Sequence, residues 1–174
     1  MSEPGRLIFV EDDADLRRLI AGAMGRRGWE VAAFARAEEA LGELEGPDGD
    51  ADVLLTDLVM PGLGGMRLCE RLREERPEIP VVVLTGFGSL ETAVEAIRAG
   101  AWDFVTKPVD VDALSIVLDR AREHRRLRRE VKRLRREVGR SDPGDLIGES
   151  EPMKALRRLL DRVAASEASV LLCG

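Results

Sequence analysis

Five short apolar runs alternate with stretches of helical periodicity, and no other feature of this sequence restricts its fold as strongly. The predicted strands cover residues 6–10, 29–34, 52–56, 80–84 and 103–106. Apolar residues spaced three and four apart predict helices over 14–26, 37–45, 65–75, 89–99 and from 110 onward. Five consecutive β–α repeats indicate an α/β fold in which helices cover both faces of a five-stranded, doubly wound parallel sheet.

Length and composition fit one such domain with an appendage. The 174 residues are 44% hydrophobic, which is enough for a packed core, and the net charge of -6 argues against general nucleic-acid binding. Two cysteines do not make a disulfide framework, and no apolar run reaches the length of a membrane span. The first residues do not resemble a signal peptide. We therefore expect a reduced, cytoplasmic protein with no membrane partner.

Polar residues follow the predicted strands at their carboxyl ends. They are Asp12 and Asp13 after the first strand, Asp57 after the third, Thr85 after the fourth and Lys107 after the fifth. Parallel strands bring their carboxyl ends to one edge of the sheet, where ligands bind in folds of this kind. The sequence therefore predicts three carboxylates, a hydroxyl and an ammonium group in one place.

This combination of residue types suits the chemistry of phosphoryl groups. Carboxylates that lie close together repel one another and need a compensating charge, which Mg²⁺ and Lys107 can supply. Such a site stabilises a transferring phosphoryl group, and a carboxylate can itself be the nucleophile that becomes an acyl phosphate. The alternative is that these acids are solvated loop residues or helix caps, and Asp13 could both cap a helix and bind the cation.

Four segments with this spacing resemble the receiver domain of two-component response regulators. They are "VEDD" (10–13), "TDLVMPGLGG" (56–65), "LTGFG" (84–88) and "DFVTKP" (103–108). The resemblance covers residues 5 to about 120. It implies a flavodoxin-like, CheY-like receiver fold, magnesium as the cofactor and a sensor histidine kinase as the partner.

The resemblance also implies a role for each acid. Asp57 would accept the phosphoryl group. Asp13 and Asp57 would ligate Mg²⁺, Asp12 would act largely through water, and the backbone carbonyl of Val59 would be a further ligand. Glu11 stands where many relatives carry Asp, but it precedes the acid pair and is expected to lie outside the ligand set.

The remaining site residues would bind the phosphoryl group or respond to it. Lys107 would pair with the phosphoryl oxygens, and the Lys107–Pro108 peptide bond is expected to be cis. Thr85 would move to hydrogen-bond the phosphoryl group, Gly86 would leave room for it to enter, and Phe104 would be the aromatic switch residue that turns inward when Thr85 moves.

The last predicted helix continues without Gly or Pro to residue 138, and its apolar residues follow a heptad spacing. This seam consists of Leu127, Val131, Leu134 and Val138. It predicts a coiled-coil linker over 119–140 and a homodimer, and a solvated connector is the alternative. Residues 119–138 carry ten Lys and Arg against four Asp and Glu, but these charges flank a heptad, which favours solvation over DNA binding.

Residues 146–174, "LIGESEPMKALRRLLDRVAASEASVLLCG", resemble the opening of a sigma-54-dependent AAA+ activator ATPase. The sequence then predicts a receiver over 1–118, the linker over 119–140, and a hinge with the truncated start of the ATPase domain over 141–174. An NtrC-type activator is implied, whose sigma-54 RNA polymerase and DNA contacts would lie outside this segment. The phosphate loop of that ATPase family is absent from these residues, so we expect no ATP hydrolysis by them.

Two other functions use similar sheets. An aspartyl-phosphate phosphatase would carry a second Asp two residues after the nucleophile, where this chain has Val59. A flavodoxin-like mononucleotide binder would need a Ser-, Thr- or Gly-rich loop after the first strand, where "VEDDADL" is acidic. The favoured prediction is a response regulator in which phosphorylation of Asp57 switches the dimer arrangement and controls an attached ATPase, rather than an enzyme.

Overall fold

The computed structural model describes residues 4–46, 49–86 and 90–140. The strands are β1 (Gly5–Val10), β2 (Trp29–Phe34), β3 (Val53–Asp57), β4 (Val81–Thr85) and β5 (Asp103–Thr106). The helices are α1 (Ala14–Gly25), α2 (Ala37–Glu45), α3 (Gly64–Glu75), α4 (Leu90–Ala99) and α5 (Val111–Arg140). The predicted alternation of strands and helices is confirmed.

All five strands are parallel, and their order in the sheet is β2-β1-β3-β4-β5. The predicted doubly wound parallel sheet is therefore confirmed. The strand order reverses between β1 and β3, which makes the carboxyl ends of these two strands the topological switch point. This is where the sequence places its acids.

Strands β3 and β4 each begin and end one residue later than predicted. Pro80 has no N–H to donate to a strand ladder, so β4 begins after it, although the Pro80 carbonyl still accepts a hydrogen bond from Leu54 N–H. As a result Asp57 and Thr85 are the last residues of their strands rather than the first residues of loops. Their backbones are held by the sheet.

Each face of the sheet is buried under helices, which explains why the strands read as continuous apolar runs. One core cluster combines Ile8, Val10, Leu54, Val81 and Val83 with residues of α2, α3 and α4. The other combines Leu7, Phe9, Leu55, Val82 and Leu84 with residues of α1 and α5. Cys69 of α3 is fully buried in the first of these clusters, and this burial raises the pKa of its thiol to about 12.

The chain divides into two compact units, residues 1–131 and 132–174. Within the first unit, α5 buries Leu114, Leu118 and Ala121 against the sheet, and Arg125 one turn later. The unit therefore includes residues that the sequence assigned to the linker. None of the helices in the described part of the chain combines the length and apolarity needed to cross a bilayer.

The described side chains of the predicted seam are exposed. Leu127, Val131 and Leu134 have relative exposures of 53%, 47% and 45%. Val138 belongs to α5, but its side chain lies outside the described residues, and so do the predicted hinge and ATPase start over 141–174. The long helix is present, and its pairing as a coiled coil stays a prediction.

Candidate functional site

Three carboxylates converge where β1 and β3 end. Glu11 and Asp12 directly follow β1, and Asp57 is the last residue of β3. One carboxylate oxygen from each of these residues lies within 4.8 Å of those of the other two. Because β1 and β3 are neighbours at the switch point, the sheet itself brings these acids together.

Lys107 compensates part of this negative charge. Its Nζ donates to Asp57 Oδ2 at 2.8 Å and to Glu11 Oε2 at 2.9 Å. Its backbone N–H donates to the Thr85 carbonyl at 2.7 Å, which ties the residue to the end of β4, and the Lys107–Pro108 peptide bond is cis. One ammonium group therefore bridges two of the three carboxylates, while the Asp12 side chain is exposed.

Burial and hydrogen bonding oppose each other in this cluster. Glu11 has a side chain only 1% exposed, and this burial raises its pKa despite the hydrogen bond from Lys107. Burial lowers the pKa of the Lys107 ammonium group, but the hydrogen bonds to Asp57 and Glu11 outweigh it, so the net pKa is raised. Three acids face one cation, and the excess negative charge together with the oxygen donors fits a hard divalent cation such as Mg²⁺.

Asp13 differs from the prediction. It is the N-cap of α1, and its Oδ1 accepts from Leu16 N–H at 3.0 Å and from Asp15 N–H at 2.8 Å. These two hydrogen bonds lower the pKa of its carboxyl group. Among the described residues, the cluster contains Glu11 in the place that was predicted for Asp13. Glu11 was expected to lie outside the ligand set, but its carboxylate lies among the clustered carboxylates.

The sequence contains a signal for this difference. An Asp that precedes the first turn of a helix by one residue competes for the N-cap, and Asp13 is in that position before Ala14. A buried strand that ends at Val10 leaves the next two residues at the sheet edge. The two acids that cluster with Asp57 are thus Glu11 and Asp12, one residue earlier than the predicted pair of Asp12 and Asp13.

The predicted switch residues Thr85 and Phe104 belong to β4 and β5, the two strands that follow β3 in the sheet. Thr85 is buried at the end of β4, and its hydroxyl donates to the Gly86 carbonyl at 3.2 Å. An added Cβ on Gly86 would meet no atom of the described residues within 4 Å, so these residues leave the space beside it open. Phe104 in β5 is partly buried against the core cluster of α2, α3 and α4. The Val59 N–H donates to Asp57 Oδ1 at 3.4 Å, and the Val59 side chain is exposed.

A comparison with known families decides the assignment. The profile of the response regulator receiver domain matches residues 7–119, which is more than half of the chain and includes every residue of the cluster. The chain belongs to the response regulator receiver family. The predicted resemblance is confirmed.

This receiver is similar to several curated transcription regulators over nearly its whole length. It is 34% identical over 170 residues to the nitrogen assimilation regulatory protein NtrX of Azorhizobium caulinodans, covering 97% of this chain and 36% of that protein. It is 35% identical over 175 residues to the C4-dicarboxylate transport transcriptional regulatory protein DctD of Rhizobium meliloti, covering 100% of this chain and 38% of that protein. The chain thus spans little more than a third of these relatives.

Solved structures agree with the fold. NtrX from Brucella abortus in complex with ADP superposes with a TM-score of 0.71 at 36% identity, covering 93% of this chain and 36% of that one. The isolated receiver domain of the same protein has a TM-score of 0.63 at 36% identity, covering 67% of this chain and 98% of that one.

Gly65, which no sequence motif marked as part of the site, packs against the backbone of Asp57 in this receiver. Gly65, in the first turn of α3, donates its N–H to the Leu58 carbonyl at 3.2 Å. A Cβ on Gly65 would lie 2.0 Å from the Asp57 carbonyl oxygen, which is backbone and cannot rotate away. Only glycine therefore allows α3 to pack this closely against the end of β3.

Proposed function

We propose that this receiver is a phosphorylation-dependent switch in which Asp57 accepts a phosphoryl group from a phosphohistidine of a sensor kinase. One observation carries the proposal. Asp57 stands at the end of a buried strand with its Oδ2 held by Lys107, beside an exposed Asp12 and an open space at Gly86. Asp57 is thus held in place by the sheet and by Lys107, while the part of the site at Asp12 and Gly86 is accessible.

The transfer is a displacement at phosphorus. A carboxylate oxygen of Asp57 attacks, a new phosphorus–oxygen bond forms, and the phosphorus–nitrogen bond to the imidazole breaks, with the electron pair staying on nitrogen. A phosphoryl group carries a charge of about -1.5 to -2 near neutral pH. Lys107 already lies 2.8 Å from Asp57 Oδ2 and can pair with the new oxygens without rearranging the backbone.

The donor set supports Mg²⁺ as the cofactor. Glu11, Asp12 and Asp57 would hold it, with the Val59 carbonyl as the further ligand that the family resemblance implies. When bound, the ion supplies positive charge that offsets the acids and the phosphoryl oxygens. The geometry favours Glu11 over Asp13 in this set because the Asp13 carboxylate is occupied by two backbone N–H groups.

Thr85 and Phe104 connect the site to a surface made by α4, β5 and α5. The Thr85 hydroxyl would exchange the Gly86 carbonyl for a phosphoryl oxygen, and Phe104 would then move further into the space beside α4. Phosphorylation shifts an equilibrium between two arrangements of this surface. Since α5 also carries the seam residues, this shift changes how two receivers pair.

In the longer protein the switch would control transcription. The names of the relatives describe nitrogen assimilation and C4-dicarboxylate transport regulators, which supports an N-terminal receiver of an NtrC-type sigma-54 activator in the cytoplasm. We assign residues 119–140 to homodimerisation. We expect no contacts with sigma-54 RNA polymerase or DNA through this receiver, and no ATP turnover by these 174 residues.

Intact mass after incubation with acetyl phosphate tests the proposal. We expect one phosphoryl adduct with Mg²⁺, and no adduct either without Mg²⁺ or in the Asp57→Asn variant. Incubation with a phosphorylated histidine kinase repeats the test with the proposed donor. An adduct that persists in Asp57→Asn, or no adduct with either donor, would contradict the assignment of Asp57.

A further inference from the structure

Arg125 is the largest fully buried side chain of the described core, although it lies on a helix whose next apolar residues are exposed. Its Nη1 donates to Asp52 Oδ1 at 3.1 Å, and its Nη2 pairs with Asp50. Its Nε has no hydrogen-bond partner among the described residues. Burying a guanidinium whose hydrogen-bond donors are not all paired costs folding free energy. A contribution to stability is therefore not enough to explain why Arg125 is buried.

The two acids tie Arg125 to several elements at the edge of the sheet opposite the acid cluster. Asp52 accepts from Arg6 N–H of β1 at 3.0 Å through its other oxygen. Asp50 also accepts from Arg129, one turn further along α5, at 2.5 Å. Arg76, which caps α3, lies 3.7 Å from Asp50. We call Asp50, Asp52, Arg125 and Arg129 the α5 anchor.

The α5 anchor holds one side of the helix, and Leu127 and Leu134 of the seam lie on the other. Leu127 and Leu134 follow Arg125 by two and nine residues, which at about 100° per residue places both roughly opposite to it. Leu114, Leu118 and Ala121 already pack α5 against the sheet through apolar contacts. Apolar contacts permit a helix to roll, whereas a forked guanidinium between two carboxylates resists rotation.

We propose that Arg125 and Asp50 are positioning residues that set the rotation of α5, so that Leu127, Val131 and Leu134 face away from their own receiver and toward the linker helix of a second copy. This proposal rests on the proposed homodimer and adds the residues that orient the seam within it. The exposed fractions of the three side chains, all near one half, agree with an apolar face that the described residues leave uncovered. Helix pairing buries such a face.

Hydrogen exchange of the whole 174-residue chain tests the anchor without reference to dimerisation. We expect amides of residues 122–131 to exchange at least about tenfold faster in Asp50→Asn, because the buried Arg125 then loses a charged partner. Glu123→Gln is the matched control, since it removes the exposed pair between Glu123 and Arg126 on the same helix. It should change these rates less than about twofold. Equal rates in Asp50→Asn and Glu123→Gln would overturn the proposal.

Two further measurements separate positioning from general loss of stability. Amides of β4 should keep their wild-type rates in Asp50→Asn, and Asp50→Glu, which retains the carboxylate, should restore slow exchange in 122–131. Faster exchange in β4 as well would show a destabilised domain instead of a loosened helix, and would contradict the proposal.

Sedimentation equilibrium then measures the consequence for assembly. We expect the dimer dissociation constant to rise about tenfold in Asp50→Asn and to stay unchanged in Glu123→Gln. A wild-type chain that is monomeric would contradict the proposed homodimer, while the exchange data would still decide whether the anchor exists. A wild-type dimer with an unaffected Asp50→Asn dimer would contradict the orienting role alone.

Discussion

Asp12 and Asp13 are neighbours with exposed side chains, but their carboxylates serve different parts of the molecule. The Asp12 carboxylate belongs to the acid cluster, and the Asp13 carboxylate closes the first turn of α1. We predict that Asp12→Asn slows phosphorylation by acetyl phosphate at least about tenfold, because the cluster loses a charged oxygen ligand. Asp13→Asn should change the rate less than about twofold, because Asn caps helices as well as Asp does.

Initial rates of adduct formation, followed by intact mass across a Mg²⁺ titration, check this pair of variants. The two substitutions are chemically identical and one residue apart, so each controls for the other. An equal loss of rate in both variants would show that Asp13 takes part in binding the cation.

Gly86 leaves open the space that the phosphoryl group is proposed to enter. Within the described part of the chain, a Cβ at this position meets no atom within 4 Å. We therefore predict that Gly86→Val abolishes the phosphoryl adduct while changing the free energy of unfolding by less than about 0.5 kcal/mol. Urea denaturation and intact mass on the same sample measure both quantities, and normal labelling would show that the phosphoryl group enters from another side.

At the scale of elements, the junction of β3 and α3 requires a glycine, which has no side chain. Gly65→Ala places a methyl group against the Asp57 carbonyl, so α3 must move away from the sheet. We predict a loss of about 1–3 kcal/mol in stability and a slower phosphorylation of Asp57. Gly42→Ala in α2, where a Cβ meets nothing within 4 Å, should instead stabilise by about 0.5–1 kcal/mol.

Thermal and urea denaturation of the two alanine variants check the contrast. Both changes add one methyl group to a helix, and the main difference is what the methyl group meets. Stabilisation by Gly65→Ala would show that the start of α3 can retreat from β3 without cost.

The attachment of α5 should weaken in acid. Burial opposes ionisation of Asp50, but hydrogen bonds from Arg129 and Arg125 outweigh it and hold the pKa of this carboxyl below its usual value near 3.8. A depressed pKa in the folded state adds stability above the unfolded value, and this stability is lost as the pH falls through the folded value. We expect the stability gap between wild type and Asp50→Asn to be constant from pH 6 to 8 and to shrink below about pH 4.

Urea midpoints at pH 7, 4.5 and 3 in constant salt measure this gap. The partner of Glu123 is exposed, so the difference in stability between wild type and Glu123→Gln should be much smaller at every pH. A gap that widens on acidification would mean that Asp50 is not the charged partner of Arg125.

For the whole molecule, the exposed seam predicts association. We expect a dimer by light scattering at micromolar concentration, with and without phosphorylation. Leu127→Asp combined with Leu134→Asp should weaken it at least about tenfold, since a charge in a coiled-coil core must be desolvated. Leu19→Asp changes an equally exposed leucine on α1 and should leave the dimer intact. A monomeric wild-type chain would contradict this assignment of the seam.

Much of this receiver was predictable because its signals are local. Hydrophobic periodicity identified all five strands and the helices between them, and parallel topology follows from their alternation. The convergence of Asp57, Thr85 and Lys107 followed from strand ends alone. The strand ends did not decide whether Glu11 or Asp13 joins Asp12 in the cluster, because Asp13 can either cap α1 or bind a cation.

The sequence by itself determined the parallel sheet, the edge at which the acids gather and the long apolar-striped helix, because periodicity and strand ends depend only on residues near in the chain. The tertiary structure decided that Glu11 rather than Asp13 joins the cluster, that Gly65 packs against the Asp57 carbonyl and that Arg125 anchors α5 between Asp50 and Asp52. These contacts join residues from separate elements, and their partners are set by how the elements pack in space.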